Sequence, residues 1–227
     1  CGTGPHVRPF MDFGYASAGL DINQPMLDIA AKRCPEAHFS LQDMSSFDVS
    51  EPLDLITCFL YSIHYSDGIE KLEGCISSAH RALKPGGIFC FNAVDKDKID
   101  NGLSVKHSAK QADDLFTFRS GWYYSGQGEK QSLRLSIEKT SADEKQVWND
   151  EHPMVAVSFN ELIALLTPYF EVHVFEHNYA SAAGSPNSST MRIAQSSMAA
   201  KCSLDCSAWR LESAGRITVP IATPNTP

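Results

Sequence analysis

The chain has no apolar run of about 18 residues or more, which excludes a membrane-spanning helix of ordinary length. It is also short of positive charge: 19 Lys and Arg stand against 27 Asp and Glu, a formal net charge of −8. Non-specific binding to nucleic acid or to an anionic membrane draws its affinity from Lys and Arg neutralising phosphate, so neither partner is expected. No C-x-x-C spacing occurs. The cysteines are Cys1, Cys34, Cys58, Cys75, Cys90, Cys202 and Cys206, an odd number of which only the last two form a close pair. Neither a structural zinc site nor a disulfide framework follows from that pattern, no metal is expected, and a reducing, cytoplasmic setting is the default. Cys58 and Cys90 lie in apolar runs and read as small buried hydrophobes. No internal repeat is visible. The first residue is Cys rather than Met, with no signal peptide ahead of it, and the expectation is a processed chain or a fragment.

What is present is the composition of a packed domain. The 227 residues are 43% apolar and 20% charged, which suits one domain with an elaboration or two small ones. From 1 to 94 short apolar runs alternate with helical patterns. Pro5 to Phe13 opens a helix after a glycine turn, and Tyr15 to Ile22 reads as a strand. Pro25 to Arg33 is helical, with Met26, Ile29 and Ala30 on one face. His38 to Asp43 is a short strand, and Leu53 to Leu60 is a nearly continuous apolar strand of the kind buried on both faces. Asp67 to Leu83 places Ile69, Leu72, Ile76, Ala79 and Leu83 at helical spacing. Lys84-Pro-Gly-Gly87 is expected to stop that helix, with glycine in a left-handed cap, before a strand from Ile88 to Val94. This alternation predicts right-handed crossovers, a mainly parallel sheet and helices on both faces.

After Asp95 the rhythm changes. Leu115 to Tyr124 and Ser132 to Lys139 alternate, and Ser125-Gly-Gln-Gly128 joins them as a turn, which predicts an antiparallel hairpin inserted after the fifth parallel strand. Ser158 and Glu161 form a capping-box pattern opening a helix over Phe159 to Tyr169, and Phe170 to Tyr179 is a last strand. From Ser181 the chain holds nine Ser and four Pro in 47 residues and shows little periodicity, so low order is expected there. The predicted organisation is a core at 1–94, a covering insertion at 95–157, a return of the core at 158–180 and a tail at 181–227.

Cys1-Gly2-Thr3-Gly4 precedes a helix, and glycine there lets backbone N–H groups approach a ligand with no Cβ in the way. An ordinary turn would look the same. Asp21 sharpens the reading. It ends the next strand 19 residues after Gly2, the spacing at which a carboxylate reaches the ribose hydroxyls of a nucleotide held over a glycine turn. Asp43 ends the following strand and should face the same crevice, where a further acceptor suits the exocyclic amine of adenine; alone it would pass for a loop cap. Met26 and Met44 would offer polarisable faces to the ring.

Cys-Gly-Thr-Gly, Gly-Leu-Asp-Ile-Asn-Gln-Pro-Met-Leu-Asp-Ile-Ala, Gln-Asp-Met, Leu-Asp-Leu-Ile-Thr-Cys-Phe-Leu and Leu-Lys-Pro-Gly-Gly, in that order, resemble a class I S-adenosylmethionine-dependent methyltransferase. The likeness is ordered over 1–94 and loose over 95–179. Within that class, Phe59-Leu-Tyr-Ser-Ile-His-Tyr65 and the inserted hairpin are similar to small-molecule N-methyltransferases, including those acting on aminosugars. The resemblance implies a Rossmann-like α/β fold and S-adenosyl-L-methionine as cofactor. By it Gly2 and Gly4 would cradle the methionine end, with Cys1 and Thr3 as neighbouring backbone, and Asp21 would hold the ribose. Ile22 and Met26 would flank the adenine, Asp43 and Met44 would contact its amine and ring, and Phe59 and Leu60 would wall the sulfonium. It implies methyl transfer to nitrogen or oxygen of a small acceptor by in-line displacement, with His64 and Tyr65 as the catalytic candidates. Tyr61, Trp122, Tyr123 and Tyr124 are candidates for an aromatic wall, Arg119 for an anion contact and His152 for a lid, with ordinary packing or surface the plainer reading of the aromatics and of His152.

The chain departs from the family in three places. The family's first strand, the acid ending it and the first glycine of the turn would all fall before Cys1, so the first strand is expected to be missing and cofactor binding weakened. No convincing seventh strand is visible, and Asn23 replaces a common Ser. Two other readings stand beside the enzyme: an NAD(P)-dependent oxidoreductase on a related fold, and a non-catalytic fragment that keeps the fold. The oligomeric state is not legible.

Overall fold

A computed structural model of the chain describes residues 1–141, 144–177, 189–196, 210–212 and 216–218, with side chains as far as 174. Its elements begin with helix α1 (Val7–Asp12), strand β1 (Ala18–Asp21), helix α2 (Gln24–Arg33) and strand β2 (His38–Leu41). Strand β3 (Leu53–Cys58), helix α3 (Ile69–Ala82) and strand β4 (Leu83–Ala93) follow. Then come four long strands, β5 (Val105–Gln111), β6 (Asp114–Tyr124), β7 (Lys130–Thr140) and β8 (Lys145–Val155). Helix α4 (Phe159–Leu166) and strands β9 (Phe170–His177) and β10 (Ser189–Ser196) return to the core.

Among the described residues the core strands form two ladders that are not hydrogen-bonded to each other. One is the parallel pair β1–β2; the other has the order β3-β4-β10-β9. β3 and β4 are parallel, and β10 runs antiparallel between β4 and β9. The α/β class and the mainly parallel sheet are borne out. The tail expectation is corrected: Ser189–Ser196 pairs on both sides, from Thr190 against Ala93 and from Ser189 against His177. Its Ser-Thr-Met-Arg-Ile-Ala-Gln-Ser is too polar and too rich in small residues to announce a strand. The rest of 181–227, apart from 210–212 and 216–218, lies outside the described residues.

The insertion is larger than a hairpin. β5, β6, β7 and β8 form one antiparallel sheet in sequence order. The predicted turn is present, with Gly126 and Gly128 at φ +85° and +76°. β8 escaped the sequence reading because Lys-Gln-Val-Trp-Asn-Asp-Glu-His-Pro is too polar to look like a strand.

α3 buries Leu72, Cys75, Ile76, Ala79 and Ala82 against Phe89 and Phe91 of β4 and against Val155, Val157, Leu162, Leu166 and Phe170. That cluster is the main core. The expected glycine cap of α3 is not used: the helix ends at Ala82, and Leu83 is already extended at φ −93° and ψ 146°. Gly86, at φ +82°, instead serves a register irregularity where β4 pairs with Leu53 and Leu55. The buried stripe of α2 is Leu27 and Ala30 rather than Met26 and Ile29, which are 41% and 47% exposed. Asn23 caps α2 by accepting the Met26 N–H at 3.1 Å, so its replacement of Ser costs no cap. The capping box of α4 forms as read, with Ser158 and Glu161 bonded reciprocally. Among the described residues no helix is long and apolar enough to cross a membrane.

Candidate active site

The parallel register of β1 and β2 pairs Asp21 with Leu41, so the residues just past both strands share one rim. Asp21 and Asp43 therefore lie on the same edge, as the sequence spacing predicts. Asp21 binds the glycine turn directly: its Oδ2 accepts the Gly2 N–H at 2.7 Å and the Cys1 amino group at 3.1 Å, while Oδ1 accepts the Asn23 N–H at 3.0 Å. Partial burial works to raise its pKa, but the Gly2 amide, the Cys1 amino group and the Asn23 amide outweigh it and hold the carboxyl below its ordinary range.

Gly2 takes φ +55°, and a Cβ there would meet nothing within 4 Å, so the space over the turn is open. Gly4, at φ +76°, instead backs onto α2, where a Cβ would stand 3.3 Å from that of Ala30. The two glycines thus do different things: one faces open space and one lets the turn pack. Arg33 Nη1 reaches Thr3 Oγ1 at 3.5 Å. The His6 ring meets Phe59 edge-on at 5.4 Å, which sets the turn beside the end of β3.

Asp43 has spent one oxygen. Its Oδ1 accepts the Ser45 N–H and the Ser45 hydroxyl, both at 2.8 Å, and these bonds hold its pKa below the ordinary value. The other oxygen has no protein partner among these bonds and is free to accept. Met44 packs partly into the core. Ile22, Met26 and Leu60 are large apolar side chains left 73%, 41% and 64% exposed. Leu60 and Tyr61, at φ +54° and +59°, are two successive non-glycine residues in the left-handed region. Such a backbone costs on the order of 1–2 kcal/mol per residue and concentrates at functional sites. It is held by the Tyr61 N–H donating to Oδ1 of buried Asn92 on β4, at 3.0 Å.

His64 is corrected as a catalytic candidate. It is fully buried, its Nδ1 bonds the Val155 carbonyl at 2.9 Å, and its Nε2 accepts the Val94 N–H at 2.9 Å. Burial lowers its pKa to about 4, against a smaller opposite push from the Val155 bond. A neutral imidazole with both nitrogens tied to backbone has no lone pair to offer a substrate. It joins the turn after β3 to β4 and to the end of β8.

Tyr65 has the opposite environment. It is 48% exposed, and its hydroxyl bonds Nδ1 of His152. Nε2 of His152 bonds Asp150 Oδ2 at 3.0 Å. The register aligns Trp122, Leu133 and His152 across three strands, so Trp122 and His152 share a sheet face. Trp122 meets the Tyr61 ring at 5.3 Å and the His64 ring at 5.8 Å. Of the four candidates for an aromatic wall, Tyr61 and Trp122 are the pair in ring contact beside this turn. Tyr123 is turned to the other face, where the Arg134 guanidinium stacks 3.6 Å over its ring, and Arg119 shares that face. Tyr124 donates its hydroxyl to the Gly128 carbonyl at 2.9 Å within the turn. Sequence reading missed Asp150 and Asn92. The Asp-x-His spacing of 150 and 152 was the available signal, and it puts both on one face only once β8 is known to be a strand.

Residues 1–87 match a family model described as a methyltransferase domain. Over 138 residues the chain is 35% identical to a dTDP-4-amino-2,3,4,6-tetradeoxy-D-glucose N,N-dimethyltransferase of Saccharopolyspora spinosa, covering 60% of this chain and 55% of that protein. Over 89 residues it is 34% identical to a dTDP-3-amino-3,4,6-trideoxy-alpha-D-glucopyranose N,N-dimethyltransferase of Streptomyces venezuelae, covering 39% of this chain and 37% of that one. The chain thus spans about half the length of the first relative and little more than a third of the second. Among solved structures, SAM-bound CalS10, an amino pentose methyltransferase from Micromonospora echinaspora, aligns with a TM-score of 0.76 at 17% identity, over 87% of this chain and 80% of that one. DesVI of Streptomyces venezuelae aligns with a TM-score of 0.71 at 20% identity, over 87% and 81%. The shared fold bears out the class I methyltransferase architecture read from the five ordered motifs.

Proposed function

We propose that this chain carries out S-adenosylmethionine-dependent N-methylation of a small amino sugar, most simply one linked to a nucleoside diphosphate, as in the named relatives. The observation that carries the reading is the joint between the Gly2 amide and the Asp21 carboxylate, on the same rim as Asp43. The residues fit the cofactor. Gly2 leaves open space above the turn, Asp21 keeps one acceptor site, on Oδ1, for a ribose hydroxyl, and Ile22, Met26 and Leu60 offer uncovered apolar surface for adenine and the sulfonium end. Asp43, with its second oxygen, would take the adenine amine, and Met44, Phe59, Cys1, Thr3 and Gly4 would supply backbone and wall.

When bound, the cofactor supplies a methyl group already activated on sulfur. The chain's own work is alignment and exclusion of water, and positioning of this kind is worth on the order of 7–11 kcal/mol of barrier. The strained Phe59–Tyr61 turn fixes the wall beside the reacting centre, and the Tyr61–Trp122 pair offers aromatic faces to an ammonium-type acceptor. Tyr65 is the polar group best placed to contact the acceptor. A reducing, cytoplasmic setting is part of the same proposal, on the odd and scattered cysteines of the sequence.

The test has two parts. Calorimetric titration of the full chain with S-adenosylhomocysteine should show saturable binding that Asp21→Asn weakens at least tenfold. Incubation with S-adenosylmethionine and a dTDP-amino sugar should add one or two methyl groups to the sugar nitrogen by mass. Binding of NADH in place of S-adenosylhomocysteine would overturn the reading in favour of an oxidoreductase.

A further inference from the structure

His152 and Asp150 lie on strand β8 of the insertion, outside every motif that marks the cofactor site, yet they meet the turn that leaves β3. The contacts form a chain of three groups. The Tyr65 hydroxyl bonds His152 Nδ1, the two rings lie 5.7 Å apart, and His152 Nε2 bonds Asp150 Oδ2 at 3.0 Å. The far end is fixed as well, since Asp150 Oδ1 accepts the Glu151 N–H at 2.9 Å. Both ends reach solvent, Tyr65 being about half exposed and the Asp150 side chain 71%, while the His152 side chain between them is 30% exposed.

Such a chain has a direction. Asp150 Oδ2, a carboxylate oxygen, can only accept, so a neutral His152 carries its proton on Nε2 and offers Nδ1 to the Tyr65 hydroxyl, which donates. Burial, and then the Asp150 charge, raise the Tyr65 phenol above its ordinary pKa, in keeping with that direction. His64, the other histidine nearby, has both nitrogens engaged by backbone and no route to solvent.

We propose that Tyr65, His152 and Asp150 form a proton relay that drains the acceptor amine during methyl transfer. This rests on the reading of the chain as an N-methyltransferase. The acceptor nitrogen donates its N–H to Tyr65 Oη. As its lone pair forms the new nitrogen–carbon bond and the sulfur–carbon electron pair returns to sulfur, the nitrogen becomes cationic. It then releases its proton to Oη while the Tyr65 proton passes to His152 Nδ1. The product is a neutral methylated amine and an imidazolium paired with the Asp150 carboxylate. The imidazolium returns its proton to solvent between turnovers. Tyr65 is the group that touches the acceptor; His152 and Asp150 act through it. A relay that resets suits an acceptor that must lose a proton before it can be methylated again.

The tautomer is read first, independently of turnover. In 1H–15N correlation spectra of the full chain at neutral pH, His152 should show the Nε2–H tautomer, with an acceptor-type Nδ1 whose shift moves in Tyr65→Phe. An Nδ1–H tautomer overturns the relay. Then Tyr65→Phe and His152→Gln are compared with the unsubstituted chain. Gln can still accept from Tyr65 but cannot carry a proton onward. The expected result is unchanged S-adenosylhomocysteine affinity, methyl transfer to an amino sugar reduced at least about tenfold in each, and partial recovery of His152→Gly by added imidazole. Transfer within about twofold in both variants overturns the relay while leaving the methyltransferase reading intact. Absence of transfer by the unsubstituted chain, with the Nε2–H tautomer present, overturns the methyltransferase reading and the catalytic role together and leaves the hydrogen-bonded chain as structure.

Discussion

Asp21 Oδ2 accepts the Gly2 N–H at 2.7 Å across 19 residues of sequence, so the carboxylate proposed for the ribose is also what holds the glycine turn closed. Hydrogen bonds to a charged group contribute about 1.5–3 kcal/mol, and Asp21→Asn weakens three of them at once. The substitution should therefore cost stability as well as S-adenosylhomocysteine affinity. The Asp21 pKa is depressed in the fold, so its contribution is full above the ordinary carboxylate pKa and is lost as pH falls through the lower folded value. Denaturant midpoints for the two proteins at neutral pH and at acid pH should differ at the first and converge at the second.

His64 gives the opposite pH signature to a catalytic histidine. Its pKa falls from 6.5 to about 4 on folding, so the unfolded chain binds the proton first. Stability is intact above about pH 6.5, declines as pH falls toward about 4 and then levels, a total on the order of 3 kcal/mol from this one group. His64→Ala should remove that slope and, by orphaning the Val94 N–H and the Val155 carbonyl, lower stability at pH 7 by about 2–4 kcal/mol. Unfolding titrations at several pH values check both. An unchanged midpoint with abolished turnover would restore His64 as a base.

These two residues show what sequence could and could not convey. The position of Asp21 against the glycine turn was legible because it follows from spacing along one turn–helix–strand unit, and parallel pairing then carries Asp43 to the same rim. His64 was misassigned because its partners, Val94 and Val155, are 30 and 91 residues away, and neither contact leaves a local trace. The run Ile88–Ala93 of β4 announced itself because it is largely buried, and β3 did so by its apolar composition although its residues are only partly covered. β8 and β10 did not: one is polar along most of its length, and the other is polar and rich in small residues. Asp150 stayed invisible for the same reason, since a carboxylate two residues from a histidine means little until both stand on one face of a strand.

Gly74 ties the second carboxylate to the core. A Cβ on this residue of α3 would lie 2.6 Å from the Ser45 carbonyl oxygen, and Ser45 is the residue whose N–H and hydroxyl hold Asp43. The obstruction is backbone and cannot rotate away. Gly74→Ala should thus cost about 1–3 kcal/mol despite the better helix propensity of Ala, and should displace the Asp43 loop. Thermal unfolding checks the first, and weakened S-adenosylhomocysteine binding in the protein that remains folded checks the second. A stabilised variant with full affinity would mean that the loop and α3 are not in close contact.

Leu60 separates strain from packing. It sits at φ +54° yet is 64% exposed, so its side chain contributes little to the core while its backbone carries a left-handed penalty. Glycine would remove on the order of 1–2 kcal/mol of strain and add about 0.5–1 kcal/mol of unfolded-state entropy. Leu60→Gly should leave the unfolding midpoint unchanged or slightly raised, whereas Leu72→Gly, in the core at 1% exposure, should lose more than about 3 kcal/mol. If the exposed leucine is there to wall the sulfonium, the same variant should bind S-adenosylhomocysteine several-fold more weakly and transfer methyl more slowly. Stability kept and affinity lost would assign the strained turn to the ligand; both kept would leave Leu60 with no part in binding.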